Sequence, residues 1–247
     1  MKKVTMLVFA IVMAFAANAQ QNVVKLGIGS LANPYNRSIN LEYERVLTDQ
    51  TSALVEIGVG IPVDISDAVF NASGVDGTTA EGITVTEGAY SSFYFVGEYR
   101  YYTKGEAARG FYIAPYLKLS NYSIDLTGQY NNTVTGFNNI PAEINTNMFV
   151  GAVGAGIGYQ WLIGDKFAIN WNFLGLGVGL NRVSAEFTAQ DNDVFEIWEQ
   201  DVKDFLAEIQ GGDNIDITSD NAARTISGAG GFIFPNLRAG LSLGYAF

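Results

Sequence analysis

The stretch Asn236-Leu237-Arg238-Ala239-Gly240-Leu241-Ser242-Leu243-Gly244-Tyr245-Ala246-Phe247 alternates without a break. Leu237, Ala239, Leu241, Leu243, Tyr245 and Phe247 share one phase, and Arg238, Gly240, Ser242, Gly244 and Ala246 share the other. A period of two puts these sets on opposite faces of a β-strand. One face is apolar and aromatic, while the other is small, polar and, at Arg238, charged. A soluble barrel turns its apolar face inward, whereas a barrel in lipid must turn it outward and can keep a polar interior. The run is 12 residues long, which suits the roughly ten that cross a bilayer at a tilt.

The same test extends up the chain. Phe111, Ile113, Pro115, Leu117 and Leu119 oppose Tyr112, Ala114, Tyr116, Lys118 and Ser120; Val55, Ile57, Val59 and Ile61 oppose Leu54, Glu56, Gly58 and Gly60. Phe93, Phe95, Tyr99 and Tyr101 oppose Tyr94, Glu98, Arg100 and Tyr102. Eight such stretches lie near 23–31, 38–47, 52–61, 90–103, 110–125, 146–162, 166–185 and 236–247. In the seventh the phase slips after Phe173, from Trp171 and Phe173 to Leu174, Leu176 and Val178, which predicts a β-bulge. The connections alternate. Residues 48–51, 104–109 and 163–165 are short turns, while 32–37, 62–89, 127–145 and 186–235 all leave from the opposite end. Connections beyond about 12 to 15 residues are uncommon in soluble domains. The pattern predicts an all-β fold: an eight-stranded antiparallel up-and-down transmembrane β-barrel with long extracellular loops.

Lys2 and Lys3, an apolar run from Val4 to Ala17 and the small-residue site Ala17-Asn18-Ala19 read as a signal peptide over 1–19. Residues 20–247 then form a single barrel domain, and the expected location is the outer membrane of a Gram-negative bacterium. The chain carries 25 acidic and 14 basic residues, a net charge of −11, which argues against nucleic acid as a partner. Seventeen of the acids fall in 62–89, 127–145 and 186–235, so the charge is expected on the outer surface.

The C-terminal stretch resembles that of small eight-stranded outer-membrane barrels of the OmpA/OmpX type, in particular uncharacterised barrel proteins of Bacteroidota. In that family a terminal aromatic preceded by alternating apolar residues is read by the barrel-assembly machinery. The resemblance therefore implies an assembly signal at Leu241, Leu243, Tyr245 and Phe247, with that machinery and outer-membrane lipid as partners. It implies location and assembly, not an activity.

Histidine and cysteine are both absent. Ser-His-Asp triads, Cys-His pairs, thiolate metal sites and HExxH helices are thereby excluded; a carboxylate pair or a Ser-Lys arrangement remains open to the chain. Neither a cofactor nor a metal site is expected. Asp191, Asp193, Asp213, Asp216 and Asp220 match no calcium-loop spacing and read as solvated surface charge. The inward phase collects Lys25, Glu42, Glu44, Glu56, Glu98, Arg100, Lys118 and Arg238. These eight line a solute-selective pore or pair into a plug; the balanced signs and the narrow bore of an eight-stranded barrel favour the plug. The glycine run Gly151 to Gly158 lacks the GxGxxG order and reads as an inner wall leaving room for large side chains opposite.

Val194 to Gln210 in the fourth outer loop has helical period, with Phe195, Trp198, Val202, Phe205 and Ile209 on one stripe. The stripe is expected to pack as a lid over the barrel mouth, with partner or membrane contact as the competing reading. The functional expectation is non-enzymatic: a structural or surface-interaction role, with an extracellular protein or polysaccharide as partner. The alternative is a narrow channel or small-ligand transporter gated by the helical fourth loop.

Overall fold

The structure, a computed structural model, describes residues 22–28, 38–64, 81–132, 137–189, 215–220 and 224–247. The expected signal peptide, and the expected helix with its stripe of Phe195, Trp198, Val202, Phe205 and Ile209, lie outside the described residues.

Ten strands form one sheet: β1 (Asn22–Gly27), β2 (Ser38–Val46), β3 (Thr51–Gly60), β4 (Val63–Asp64), β5 (Glu81–Tyr102), β6 (Gly110–Asn132), β7 (Phe137–Ile163), β8 (Phe167–Ala189), β9 (Ile215–Asp220) and β10 (Thr225–Ala246). The path runs β1-β2-β3-β5-β6-β7-β8-β10-β9, with β4 beside β5, and β1 also pairs with β10. That last pairing is antiparallel, Val23 to Ala246 through Gly27 to Ser242. It is sealed by reciprocal bonds of 2.8 Å between the backbones of Asn22 and Phe247. The sheet therefore closes into a ring, which removes the free edges that would otherwise template aggregation. The C-terminal stretch with the clearest alternation is the strand that closes it.

The burial pattern is inverted relative to a water-soluble core. Lys25, Glu42, Glu44, Glu56, Glu98 and Arg100 are buried, whereas Val153, Leu176, Leu180, Ile233 and Leu237 are more than half exposed. The outward face changes character within one step on several strands. Leu119 is followed by Asn121, Phe149 is preceded by Asn147, and Leu180 is followed by Arg182. Beyond that level the strands continue as a polar rim with exposed Glu87, Asp125, Glu143, Glu186, Asp216 and Asp220.

Several expectations are corrected. β4 and β9, short strands beside β5 and β10, lie in stretches expected to be loops and bring the described strands to ten. The connection expected over 127–145 is largely strand, since β6 and β7 stay paired from Gly110 and Gln160 out to Asn132 and Phe137. β5 likewise begins at Glu81, inside the loop expected over 62–89, while β8, β9 and β10 occupy much of 186–235. The cause is physical. A membrane strand is recognised by an apolar outward face, and above the belt that face turns polar, as at Asp125, Glu143 and Glu186, while the backbone ladder continues regardless. For the first strand, β1 covers 22–27, and the remainder of the expected 23–31 lies mostly outside the described residues.

The predicted bulge is present. Against β7 the register passes from Ile157–Leu174 to Gly158–Asn172, and against β10 from Arg238–Gly175 to Gly240–Asn172. Both neighbours thus skip Phe173, the extra residue that restores an outward phase to Leu174 and Leu176.

Candidate functional site

The ring's interior is its most distinctive chemistry. Inward positions of β1, β2, β3, β5, β6, β7, β8 and β10 meet there because residues two apart on a strand share a face. At the end that carries the short turns, the turn over 103–109 folds beneath the opening. Ala108, with a left-handed φ of 63°, is completely buried. It packs with Val23, Ala168 and Ala246, flanked by Val46 and Leu162. Its carbonyl accepts a bond from Gln160 Nε2 at 2.9 Å, and Ala107 N donates to Asp49 O at 2.7 Å. This turn is a stopper built from a connection that the sequence marks only as short.

Above it lies a layer centred on Glu44. Its carboxylate accepts from Lys25 Nζ, Ser52 Oγ and the Tyr102 hydroxyl, each at 2.6 Å, and from Arg100 at 3.2 Å. Lys25 also donates to Gln160 Oε1 at 2.9 Å and lies 3.4 Å from Glu42. Arg100 donates through Nε to Glu98 at 2.7 Å, reaches Gln160 and Asn170, and sits 4.3 Å above the Tyr112 ring.

A second layer is centred on Arg238, which bridges Glu98 and Glu56. Glu56 also accepts from Asn40 Nδ2 at 2.6 Å and from Tyr94 at 3.0 Å. The layers share Glu98, so one connected set of bonds spans the bore. Seven of the eight charged residues read from the inward phase belong to this set. Lys118 stands apart: its ammonium lies 5.7 Å from the Tyr94 ring centroid, and among the described residues it has no carboxylate partner.

Of the polar residues that complete the set, Tyr94, Tyr102 and Tyr112 stand in the inward phase read from sequence, whereas Asn40, Ser52, Gln160 and Asn170 were not singled out. Ser52, Tyr102, Tyr112, Gln160 and Asn170 share the inward phase with the charges, and that phase is the signal by which they are found. Two glycines make room for another inward side chain: a Cβ at Gly154 or Gly177 would strike the Tyr116 ring or hydroxyl at 2.6 Å. The glycine run is thus a wall against which aromatic side chains lie, as its pattern suggests.

Such a constellation is suited to holding strands together. Every carboxylate in it faces a cation at hydrogen-bond or ion-pair distance, and among the described residues no group of three or more metal-ligating side chains occurs. The four residues of the C-terminal motif, Leu241, Leu243, Tyr245 and Phe247, are all exposed on the outer face. Tyr245 packs edge-on against Phe167 with ring centroids 5.9 Å apart.

No family model matches the chain. No curated protein matches it either. Among solved structures it is similar to a major outer membrane protein from Thermus thermophilus, at 11% identity and a TM-score of 0.37, over 93% of this chain and 100% of that one. It is also similar to the β domain of the Bordetella autotransporter BrkA, at 11% identity and a TM-score of 0.21, over 92% and 97% of the two chains. Scores this low do not bear on what this chain does.

Proposed function

We propose that the chain is a barrel of a bacterial outer membrane, its ring made by the eight strands other than β4 and β9, whose lumen is closed, and that it serves a structural or surface-interaction role without catalysing a reaction. The observation that carries this reading is the inversion of burial: a bonded ionic network inside and an apolar band outside. Two charges buried without such pairing would each cost several kcal/mol, on the order of what holds a domain together.

The height of the band supports a bilayer. On β5 it runs from Phe93 to Tyr101 and on β8 from Phe167 to Leu180. At about 3.3 Å per residue and a tilt of about 40°, and leaving out the bulge residue of β8, these runs rise roughly 20 and 30 Å, bracketing the ~25 Å apolar band of known membrane barrels. Aromatic residues gather at its turn-bearing end, where Trp161 lies against Tyr159 and Phe167 against Tyr245. Such rings favour a lipid–water boundary. The acidic rim on the far side then faces the medium, where a protein or polysaccharide partner would meet it.

The closed lumen rests on Arg100, Glu44 and Ala108, which leave no exposed surface across the bore. Purified protein in planar bilayers is therefore expected to show no large, stable single-channel currents, and such currents would overturn the closed reading in favour of transport. Protease applied to intact cells is expected to cut outside the turns at 47–50, 103–109 and 164–166; cleavage there would reverse the proposed orientation.

A further inference from the structure

The bulge at Phe173 has a second consequence, in the interior. Two residues of β8, Phe173 and Leu174, stand opposite the single Ala239 of β10, so Asn172 and Gly240 are paired immediately below the irregularity. A small cavity of about 50 Å³ opens at this level, lined by Asn172, Gly240, Glu42, Glu56 and Arg238 among others. A Cβ built on Gly240 meets no atom within 4 Å.

The cavity wall is chemically unfinished. Asn172 is 2% exposed, yet neither its Nδ2 nor its Oδ1 has a hydrogen-bond partner, and Glu42 Oε2, also buried, accepts no hydrogen bond although Lys25 Nζ lies 3.4 Å away. A buried polar atom left unbonded is costly, so the two Asn172 atoms, beside a Glu42 oxygen held only by an ion pair, point to a small polar ligand. Their chemistry selects it. Asn172 presents a donor and an acceptor side by side, and Glu42 presents an acceptor, so the ligand must both donate and accept. A metal cation would serve the two oxygens but face the amide hydrogens of Asn172, with Arg238 and Lys25 close by; an anion would face the Glu42 carboxylate. Water meets all three demands, and the cavity exceeds the roughly 10–15 Å³ that one water needs.

We infer that the bulge builds a buried hydration site, in which ordered water bridges the Asn172 carboxamide to the Glu42 carboxylate. Through Glu42, which lies 3.4 Å from Lys25, the water links the β8 wall to the ionic network, which among the described residues otherwise reaches it through Asn170. The site does not depend on the barrel's location or on its failure to conduct. A conducting barrel with water at Asn172 would sink the closed-lumen reading and leave this one standing.

A crystal structure of the wild-type chain at a resolution that shows ordered solvent tests the site directly. At least one water oxygen is expected within hydrogen-bond distance of both Asn172 and Glu42. In Gly240→Ala, whose methyl group enters the cavity, that water is expected to be displaced or lost. Should the variant fail to fold, nuclear Overhauser transfer from long-lived water to the Asn172 side-chain amide in the wild-type protein reads the same contact. A dry cavity, an Asn172 carboxamide bonded to protein, or a metal ion in the water's place would each overturn the inference.

Discussion

Replacing Glu44 with alanine removes one acceptor from four donors at once. Ser52 and Tyr102 each lose a 2.6 Å bond, Lys25 loses its shortest carboxylate contact, and Arg100 loses one of two. The cations are not wholly abandoned, because Lys25 keeps Glu42 at 3.4 Å and Arg100 keeps Glu98 at 2.7 Å. Breaking a buried pair costs about 3–5 kcal/mol where nothing compensates. Two hydroxyls without acceptors add about 1 kcal/mol each, and the surviving partners return part of the loss. A net loss of about 4 kcal/mol is expected, close to a thousandfold in the unfolding equilibrium at about 1.4 kcal/mol per decade. Glu44→Gln, which keeps the shape and one carbonyl acceptor, should lose about half of that, with the neutral bonds near 1 kcal/mol each. The assay is reversible urea unfolding in lipid vesicles, followed by tryptophan fluorescence and by heat-modifiable migration on gels. The double substitution Lys25→Met with Glu44→Met should lose less than the two single losses combined, by roughly 1–3 kcal/mol. A Glu44→Ala protein within about 0.5 kcal/mol of wild type, a change typical of unconstrained surface sites, would refute the network as a source of stability.

Three further outcomes are expected. Leu176→Arg, in the apolar band, should destabilise the barrel in bilayers by about 2–4 kcal/mol, whereas Glu186→Arg, above the band, should cost about 0–1 kcal/mol; equal losses in the same unfolding assay would misplace the membrane. Gly158→Ala should cost about 1–3 kcal/mol by overpacking, because its methyl group would collide with the Tyr112 hydroxyl and the Trp171 carbonyl, while Gly97→Ala meets only Phe95 at 3.8 Å and should be neutral in the same melts. Deleting Phe247 removes both its reciprocal backbone bonds to Asn22 and the terminal aromatic of the proposed assembly signal. The heat-modifiable fraction recovered in outer-membrane preparations should fall several-fold, and unchanged recovery would remove Phe247 from assembly.

Much of this molecule is legible in sequence wherever one face of a strand contrasts with the other. Leu241, Leu243 and Tyr245 announce an apolar exterior, and the same period places Glu44, Arg100 and Arg238 inside. The slip at Phe173 is readable because it interrupts that contrast. Legibility fails where contrast fails: the outer parts of β6 and β7, where Asp125 pairs with Asn145 and Thr127 with Glu143, are polar on their outward face and resemble loop. It also fails for properties set by three-dimensional convergence. Nothing local marks Ala108 as a stopper, since its burial depends on the turn folding beneath other strands. Nor does the sequence reveal that Lys118, in phase with the other charges, stands apart from them on the Tyr94 ring.

The most direct test of the central claim uses the protein's own tryptophans. Trp161 and Trp171 are exposed on the outer face of the ring; Trp198, the third, is removed by Trp198→Phe. Reconstituted into vesicles of lipids brominated along the acyl chain, the remaining two tryptophans are expected to be strongly quenched relative to unbrominated vesicles, with the folded, heat-modifiable band retained. Unquenched fluorescence from the folded protein would show that the apolar band does not contact lipid, and would contradict a membrane barrel.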